Sequence, residues 1–189
     1  IAEYMKGHKK ELFDENPMMM TEERHELSQV IADAPRFQFL KFFSVVSEWD
    51  KDTTKQFAAI TVEVEPSVRL VIFRGTDDTL IGWKEDFLMT YSPLVAAQTD
   101  AKEYLAKQAS LFDGDLMVSG GNLALYAAAT QAEDVQLRIV DIFCFDSPGV
   151  HRSVLETKGY KNIVALAMRY IPQDSLVGLM LESEVPYVI

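Results

Sequence analysis

The segment LMVSGGNLALYAAA (residues 116–129) joins a short apolar run to an alanine-rich stretch through two glycines. The apolar run is typical of a buried strand, and the leucines and alanines after the glycines favour a helix. In α/β enzymes, a strand that turns tightly into a helix presents a nucleophile or binds a phosphate. The turn between Ser119 and Asn122 is too short for either task, so part of such a site is missing from it.

Strands and helices alternate along the chain on both sides of this segment. Four further runs rich in β-branched and aromatic residues are predicted strands, at 57–65, 68–76, 137–145 and 162–170. We expect the first to lie near a sheet edge, because Pro66 follows it, and the second to be covered on both faces. Helices are predicted at 81–91, 99–111 and 121–131. This order predicts an α/β fold with a mostly parallel sheet flanked by helices.

Residues 1–50 are predicted to form a mainly helical N-terminal part, which is a candidate cap or lid. The acids that follow Thr21 and the helical spacing of Leu27, Val30 and Ile31 indicate one helix there. The segment 37–49, FQFLKFFSVVSEW, fits either a helix or a strand. Since no repeat or linker interrupts the chain, we expect a single domain over residues 1–189, with the sheet core in residues 57–189.

The composition limits the classes of function. A net charge of −11 argues against nucleic-acid binding, which normally needs a basic surface. No apolar run approaches the roughly 18 residues of a transmembrane segment, and the first residues, IAEYMKGHKK, lack the apolar core of a signal peptide. The single cysteine, Cys144, lies in an apolar run and is expected to be a buried structural thiol. A reducing, cytoplasmic location is therefore the default expectation.

The segment FRGTDD closes the second of these predicted strands with polar residues. Gly75 allows a sharp turn, and the hydroxyl and backbone N–H of Thr76 would stabilise an oxyanion if they faced a reacting carbonyl. The alternative is an ordinary turn into a helix that Asp77 or Asp78 caps. The turn alone favours this structural interpretation.

Other charged and hydroxyl residues have a catalytic and a structural interpretation. Arg74 would be costly to bury alone, so we predict a structural ion pair between Arg74 and Asp86. Asp174, in IPQDS, is placed to orient a catalytic histidine, although most loop aspartates are simply solvated or cap a helix. Ser147, in FDSPG, is interpreted as a hydrogen-bonding residue of a turn.

The three histidines do not complete a catalytic triad. His8 and His25 lie in the N-terminal part, His151 follows FDSPG, and we expect all three at the surface. None follows the last predicted strand, where the order Ser, Asp, His would place the base. No pair of metal ligands has a usable spacing such as H-x-x-x-H, so no metal site is predicted.

Taken in order, these segments resemble the class 3 (fungal-type) lipase group of α/β-hydrolases, and most closely its lipase-like relatives from bacteria. The resemblance begins near Phe57 and runs to the end of the chain. VIFRGTDDTLIGWKEDF (71–87) is similar to the oxyanion segment of that group, with Trp83 and Asp86 in register. The helix NLALYAAA, the spacing of Gln98, Ala101 and Tyr104, the turn FDSPG and the segment IPQDSLVG are similar to its later parts.

The resemblance also shows what the turn after Ser119 lacks. Members of this group carry G-x-S-x-G there, and the bacterial relatives read GHSKGGNLALYAA. About four residues, GHSK by analogy, are missing between Ser119 and Gly120, and the nucleophile is among them. Ser119 would then precede the turn; it serves as the nucleophile only in a poorer alignment that needs two gaps.

The triad histidine of the group follows a further strand, whereas this sequence ends at EVPYVI. We expect the intact protein to carry both missing segments rather than to have lost them. For the turn, one reason is that DLMVS could not turn cleanly into its helix with so few residues.

The resemblance implies a serine hydrolase that acts on a small ester or lipid-like acyl substrate through a Ser-Asp-His triad. It implies that Asp174 is the triad acid, that Thr76 contributes to the oxyanion hole, and that no metal or organic cofactor is needed. Five further residues would shape the site without reacting: Arg74, Gly75, Asp86, Gly120 and Gly121. The alternative takes the sequence literally, as a catalytically inactive α/β-hydrolase scaffold used for binding.

Overall fold

The computed structural model describes residues 21–50, 55–75, 92 and 94–189. The chain divides into two compact units, residues 1–41 and 42–189. In the first unit, helix α1 (Thr21–Asp33) is followed by a short 3-10 helix, Pro35–Phe37. The helix predicted after Thr21 is thereby confirmed.

The second unit contains a mixed sheet whose seven strands, within the described residues, lie side by side in the order of the sequence. The strands are β1 (Lys41–Asp50), β2 (Lys55–Glu65), β3 (Val68–Phe73), β4 (Asp115–Gly120), β5 (Ile139–Phe145), β6 (Ala167–Tyr170) and β7 (Tyr187–Val188). β2 and β3 are antiparallel, whereas β3 to β7 are parallel throughout. The predicted α/β fold with a mostly parallel sheet is confirmed.

The helices of this unit connect the parallel strands. They are α2 (Ala96–Ser110), α3 (Asn122–Ala129), α4 (Glu133–Gln136), α5 (Arg152–Leu155) and α6 (Lys158–Ile163). The helices predicted at 99–111 and 121–131 correspond to α2 and α3. The helix predicted at 81–91 lies outside the described residues.

The core lies between the central strands and helices α2 and α3. Val71, Val118 and Ile142 are register neighbours on β3, β4 and β5, and all three are fully buried. The alanine-rich helix α3 packs closely because its side chains are small, and its Ala124, Ala127 and Ala128 are fully buried. Full burial of each large apolar side chain contributes roughly 1.5–3 kcal/mol. This packing fixes the point at which β4 turns into α3.

The start of the sheet differs from the prediction. Residues 41–50 form β1, so the N-terminal part is not helical up to residue 50. The aromatic and β-branched side chains of Phe42, Phe43, Val45 and Val46 suit a strand better than a helix. β2, which Pro66 follows, lies next to the edge strand β1, so the expectation that it lies near a sheet edge is confirmed.

Two other expectations about strands are corrected. The predicted strand at 162–170 is a strand only from Ala167, because α6 and a 3-10 helix occupy residues 158–166. The Thr157 hydroxyl starts that helix by accepting a hydrogen bond from the backbone N–H of Tyr160 at 3.1 Å. On β3, Val71 and Phe73 are buried, but Leu70 and Ile72 on the other face remain partly exposed, so that face is only partly covered.

Cys144 confirms the expectation of a buried structural thiol. It lies on β5 with 1% of its surface exposed, and burial raises the pKa of the thiol from 9.0 to about 12, although Arg169 opposes the shift. At pH 8 only about one thiol in ten thousand would therefore be ionised in the folded protein.

We expect Cys144 to be inert to Ellman's reagent at pH 8 in the native state and to react fully in urea, which provides the positive control. Because the folded pKa is raised, the unfolded thiol ionises first as the pH increases. The stability contributed by the buried neutral thiol is therefore present below pH 9 and is lost between about pH 9 and 12. Rapid labelling of the native protein, measured by absorbance, would contradict this account.

Candidate functional site

The connection between β4 and α3 is made by two glycines at the carboxyl edge of the parallel sheet. β4 ends at Gly120 and α3 begins at Asn122, so Gly121 alone separates them. Gly120 has φ of +152°, which side chains rarely tolerate, and a Cβ there would lie 2.9 Å from the Phe73 carbonyl oxygen. A Cβ on Gly121 would lie 2.8 Å from the Cβ of Ser147. Both positions therefore require glycine.

This direct connection corrects one argument from the sequence. We expected that the strand could not turn cleanly into its helix with so few residues. The structure makes the turn with the sequence as it stands, because Gly120 adopts a positive φ and Gly121 has no side chain to collide with Ser147.

Ser119 lies within β4 and before the turn. Its register partners are Ile72 on β3 and Phe143 on β5, and it is half-buried between these strands. Side chains alternate along a strand, so Ser119 points to the face opposite that of the fully buried Val118. It is not displayed at the tip of a turn, as a serine nucleophile in an α/β-hydrolase is.

A chain of buried side-chain amides joins the elements around the turn. The Gln98 side chain accepts a hydrogen bond from the Val95 N–H at 3.1 Å and donates one to Asn122 Oδ1 at 2.6 Å. Asn122 in turn donates to the Gly149 carbonyl oxygen at 2.5 Å. Gln98 and Asn122 are each 4% exposed. We call this chain the amide relay; it ties the first turn of α2 to the first turn of α3 and to FDSPG.

This role of Asn122 was not predicted from the sequence. A signal was present, because Asn122 begins an otherwise apolar helix and a buried amide must find hydrogen-bond partners. Gln98, Ala101 and Tyr104, whose spacing is similar to that of the fungal-type lipase group, are all buried on α2. The spacing does not indicate that Asn122 is the hydrogen-bond partner of Gln98.

The turns after β5 and β6 meet at the same edge. Asp146 accepts a hydrogen bond from the Ser175 hydroxyl, whose oxygen accepts one from the Gly178 N–H at 2.8 Å. Ser147 is buried against Gly121 rather than exposed in its turn. Asp174 is exposed, and its side chain makes no hydrogen bond or ion pair within the described residues.

The oxyanion segment is described only up to Gly75. Thr76, Asp77, Asp78, Trp83 and Asp86 lie outside the described residues, so their predicted roles stay predictions. Apart from its chain neighbours, no atom of the described residues lies within 4 Å of a Cβ built at Gly75.

Arg74 is exposed. Asp86 lies outside the described residues, so the ion pair between Arg74 and Asp86 stays a prediction. Arg74 follows the last residue of β3, where its backbone N–H still bonds to the Ala58 carbonyl oxygen at 2.9 Å.

The histidine described with its side chain has a local structural role. His151 caps α5, because its Nδ1 accepts a hydrogen bond from the Ser153 N–H at 3.3 Å and lies 2.9 Å from the Ser153 hydroxyl. His25 lies in α1, and His8 is outside the described residues.

Comparisons with known proteins identify the type of fold. The model of the Mbeg1-like family, which is lipase-like, matches residues 31–189. M37 lipase superposes with a TM-score of 0.52 at 10% identity, over 82% of this chain and 62% of its own. The structure of a fungal lipase–inhibitor complex superposes with a TM-score of 0.49 at 16% identity, over 73% of this chain and 59% of the lipase chain. The Rhizomucor miehei lipase–propeptide complex superposes with a TM-score of 0.44 at 16% identity, over 81% of this chain and 61% of the lipase chain.

The family match and the superposition on M37 lipase indicate an α/β-hydrolase-type, lipase-like fold. The chain spans about three fifths of the length of the lipases it matches. No curated protein sequence matches it significantly. Among the described residues, no helix is both long enough and apolar enough to cross a membrane.

The amide relay generates a test of stability. Replacing Asn122 with alanine leaves the Gln98 amide and the Gly149 carbonyl without their partner in the core, so the free energy of unfolding should fall by about 2 kcal/mol. A double-mutant cycle with Gln98→Ala should give a coupling of at least about 0.5 kcal/mol. Urea unfolding measures both values.

Gln131→Ala provides the matched control, because Gln131 carries the same amide just beyond the opposite end of α3, where its hydrogen bond to Lys102 is exposed. This substitution should change stability by less than about 0.5 kcal/mol. Equal losses in the Asn122 and Gln131 variants, or strictly additive effects of Gln98 and Asn122, would contradict the relay.

Proposed function

The chain belongs to the Mbeg1-like family, and from that membership we propose that it is a serine hydrolase acting on an ester or acyl substrate. One structural observation supports the proposal most strongly. A strand turns into a helix through close-packed glycines at the carboxyl edge of a parallel sheet, and the turns that follow the next two strands meet at the same edge. Active sites of open α/β sheets lie at this edge.

The proposed mechanism assigns one role to each part of the site. A serine between Ser119 and Gly120 attacks the substrate carbonyl, and a histidine beyond Ile189 takes its proton and then passes it to the leaving group. A carboxylate holds that histidine in the correct tautomer, and the resemblance points to Asp174 for this role. The N–H and hydroxyl of Thr76, with the N–H after the nucleophile, stabilise the oxyanion. Water then hydrolyses the acyl-enzyme, and the mechanism needs no cofactor.

The substrate is proposed to be a small ester or a lipid-like acyl compound rather than a nucleic acid. Lipase, carboxylesterase and thioesterase activities are all compatible with this chemistry. A cytoplasmic location and an origin close to bacterial relatives stay predictions.

A second candidate function is a catalytically inactive scaffold that binds a partner. One observation favours it: β4 passes directly into α3 with good packing, and this turn displays no nucleophile. The two functions therefore differ in the covalent structure of the protein itself.

Intact mass and a peptide map of the protein expressed from its complete gene separate the two functions. The hydrolase proposal expects a mass above 21.4 kDa and a peptide with extra residues, GHSK-like, between Ser119 and Gly120. A peptide in which Ser119 is bonded directly to Gly120 would instead favour the binding scaffold.

Substitution of Thr76 tests the oxyanion hole. Removing one oxyanion donor costs roughly 3 kcal/mol of transition-state stabilisation, so Thr76→Ala should lower kcat by about 100- to 1,000-fold with little change in melting temperature. Thr99→Ala, the same substitution at an exposed position of α2, is the control and should keep full activity. Full activity of the Thr76 variant in an ester hydrolysis assay would remove this residue from the site.

A further inference from the structure

Asp174 lies between β6 and the short 3-10 helix Val177–Leu179, and two side chains from the ends of β5 and β6 bind this segment. We propose that these two residues, Arg169 and Asp146, are positioning residues that fix residues 171–178, which we call the Asp174 turn. The inference rests on the proposed hydrolase function and keeps Asp174 as the triad acid.

The side chain of Asp174 does not fix its own position. Asp174 is exposed, and its carboxylate makes no hydrogen bond or ion pair within the described residues. A catalytic group has to be kept within about 0.5 Å of its working geometry. The support for this carboxylate therefore has to come from the backbone of the Asp174 turn and from the residues that bind it.

Asp146 binds the residue that follows Asp174. The Ser175 hydroxyl donates a hydrogen bond to Asp146 Oδ1, and its oxygen accepts one from the Gly178 N–H at 2.8 Å. Asp146 is itself fixed, because its backbone N–H donates to the Tyr170 carbonyl oxygen at 2.8 Å. Through the Ser175 hydroxyl, one carboxylate thus connects the end of β5 to two residues of the Asp174 turn.

Arg169 binds the same turn from β6. It is the register partner of the buried Cys144 and is itself only 8% exposed. Its guanidinium donates a hydrogen bond to the Gly178 carbonyl oxygen, but its Nε has no hydrogen-bond partner, and Arg169 makes no ion pair within the described residues. A buried charge with so few partners is costly for stability. Stabilisation of the fold therefore explains this arginine poorly, whereas its bond to Gly178 gives it a definite role.

The Asp174 turn packs closely against its surroundings. A Cβ built on Gly178 would lie 2.8 Å from Ile171 Cγ2 and 3.0 Å from Asp146 Oδ1, so a side chain there would displace one of these groups. The start of the turn is also held, because the Ile171 N–H donates to the Val188 carbonyl oxygen at 2.9 Å. Asp174 lies between these fixed points, and its backbone is restrained from both sides.

Arg169→Met separates positioning from stability. Methionine is unbranched and uncharged, so this substitution removes the hydrogen bond to Gly178 together with the cost of burying a guanidinium. These two effects oppose each other, and the melting temperature should change little. Arg152→Met is the matched control, because Arg152 is exposed and pairs with the neighbouring Glu156.

Two substitutions of Asp146 test its contact with Ser175. Its φ of +37° lies in the left-handed region, which glycine adopts freely and asparagine tolerates. Asp146→Gly therefore keeps the backbone conformation and removes the acceptor of the Ser175 hydrogen bond. Asp146→Asn keeps an acceptor oxygen and should recover most of what the glycine variant loses.

The first measurement is hydrogen–deuterium exchange, read by mass spectrometry, of the peptide that contains residues 171–180 in the protein expressed from its complete gene. Exchange should become roughly tenfold faster in Arg169→Met and in Asp146→Gly, because local opening of the turn becomes easier. Arg152→Met should exchange at the wild-type rate, and Asp146→Asn should exchange more slowly than Asp146→Gly.

The second measurement is the turnover of p-nitrophenyl butyrate by the same variants. Because a misplacement of about 1 Å lowers a rate by about 100-fold, Arg169→Met and Asp146→Gly should lower kcat by roughly 10- to 100-fold with KM changed less than about threefold. Asp146→Asn should recover most of the kcat that Asp146→Gly loses. Arg152→Met should keep the wild-type kcat.

Each contrary result has a separate meaning. If exchange of the Asp174 turn is unchanged in Arg169→Met and in Asp146→Gly, neither residue fixes the turn and the inference fails, whatever the activity. If exchange accelerates but kcat stays at the wild-type value, the inference fails while the hydrolase function stands. If the wild-type protein does not turn over the ester, the proposed function fails and the positioning role falls with it. If Arg169→Met does not fold, the two Asp146 variants decide the outcome by the same criteria.

Discussion

The close approach of β4 and α3 at Gly120 and Gly121 is the constraint on which the surrounding structure depends. No side chain fits at either position, because Phe73 lies against the first glycine and Ser147 against the second. These two contacts hold β3, the β4–α3 connection and the turn after β5 together at the carboxyl edge of the sheet. The small side chains of α3 belong to the same buried cluster as Val118 and Ile142, so the helix and the sheet can pack closely.

The amide relay supplements this apolar packing with hydrogen bonds, which require specific orientations of the groups they join. Apolar contacts alone would allow the helices to shift along one another. A buried amide that loses its hydrogen-bond partner lowers the stability of the fold by about 1–3 kcal/mol. Gln98 and Asn122 therefore fix the relative positions of α2, α3 and FDSPG. A comparable arrangement fixes Asp146 through Ser175. A hydrolase needs this rigidity, since its groups must keep their positions while a substrate enters.

The fold was predictable from the sequence where the signals were local. The apolar run and glycines of residues 116–129, and the β-branched runs of β3 and β5, indicated their elements correctly because each pattern lies within a few residues. The helix before Ala167 was missed because a capping hydroxyl at Thr157 outweighed a β-like composition.

The site was less predictable than the fold. The hydrogen bond between Asp146 and Ser175 joins residues 29 positions apart, and no local sequence pattern indicates such a contact. The role of Thr76 stays a prediction, and the exposure of Arg74 depended on tertiary packing.

The most direct test of the central claim is to locate a covalent label in the intact protein. A fluorophosphonate reacts only with an activated serine, and protease digestion followed by mass spectrometry identifies the modified residue. The account predicts one labelled serine in the peptide that spans Val118 and Asn122, at a position between Ser119 and Gly120. A protein that takes no label, and in which Ser119 is joined directly to Gly120, would contradict it.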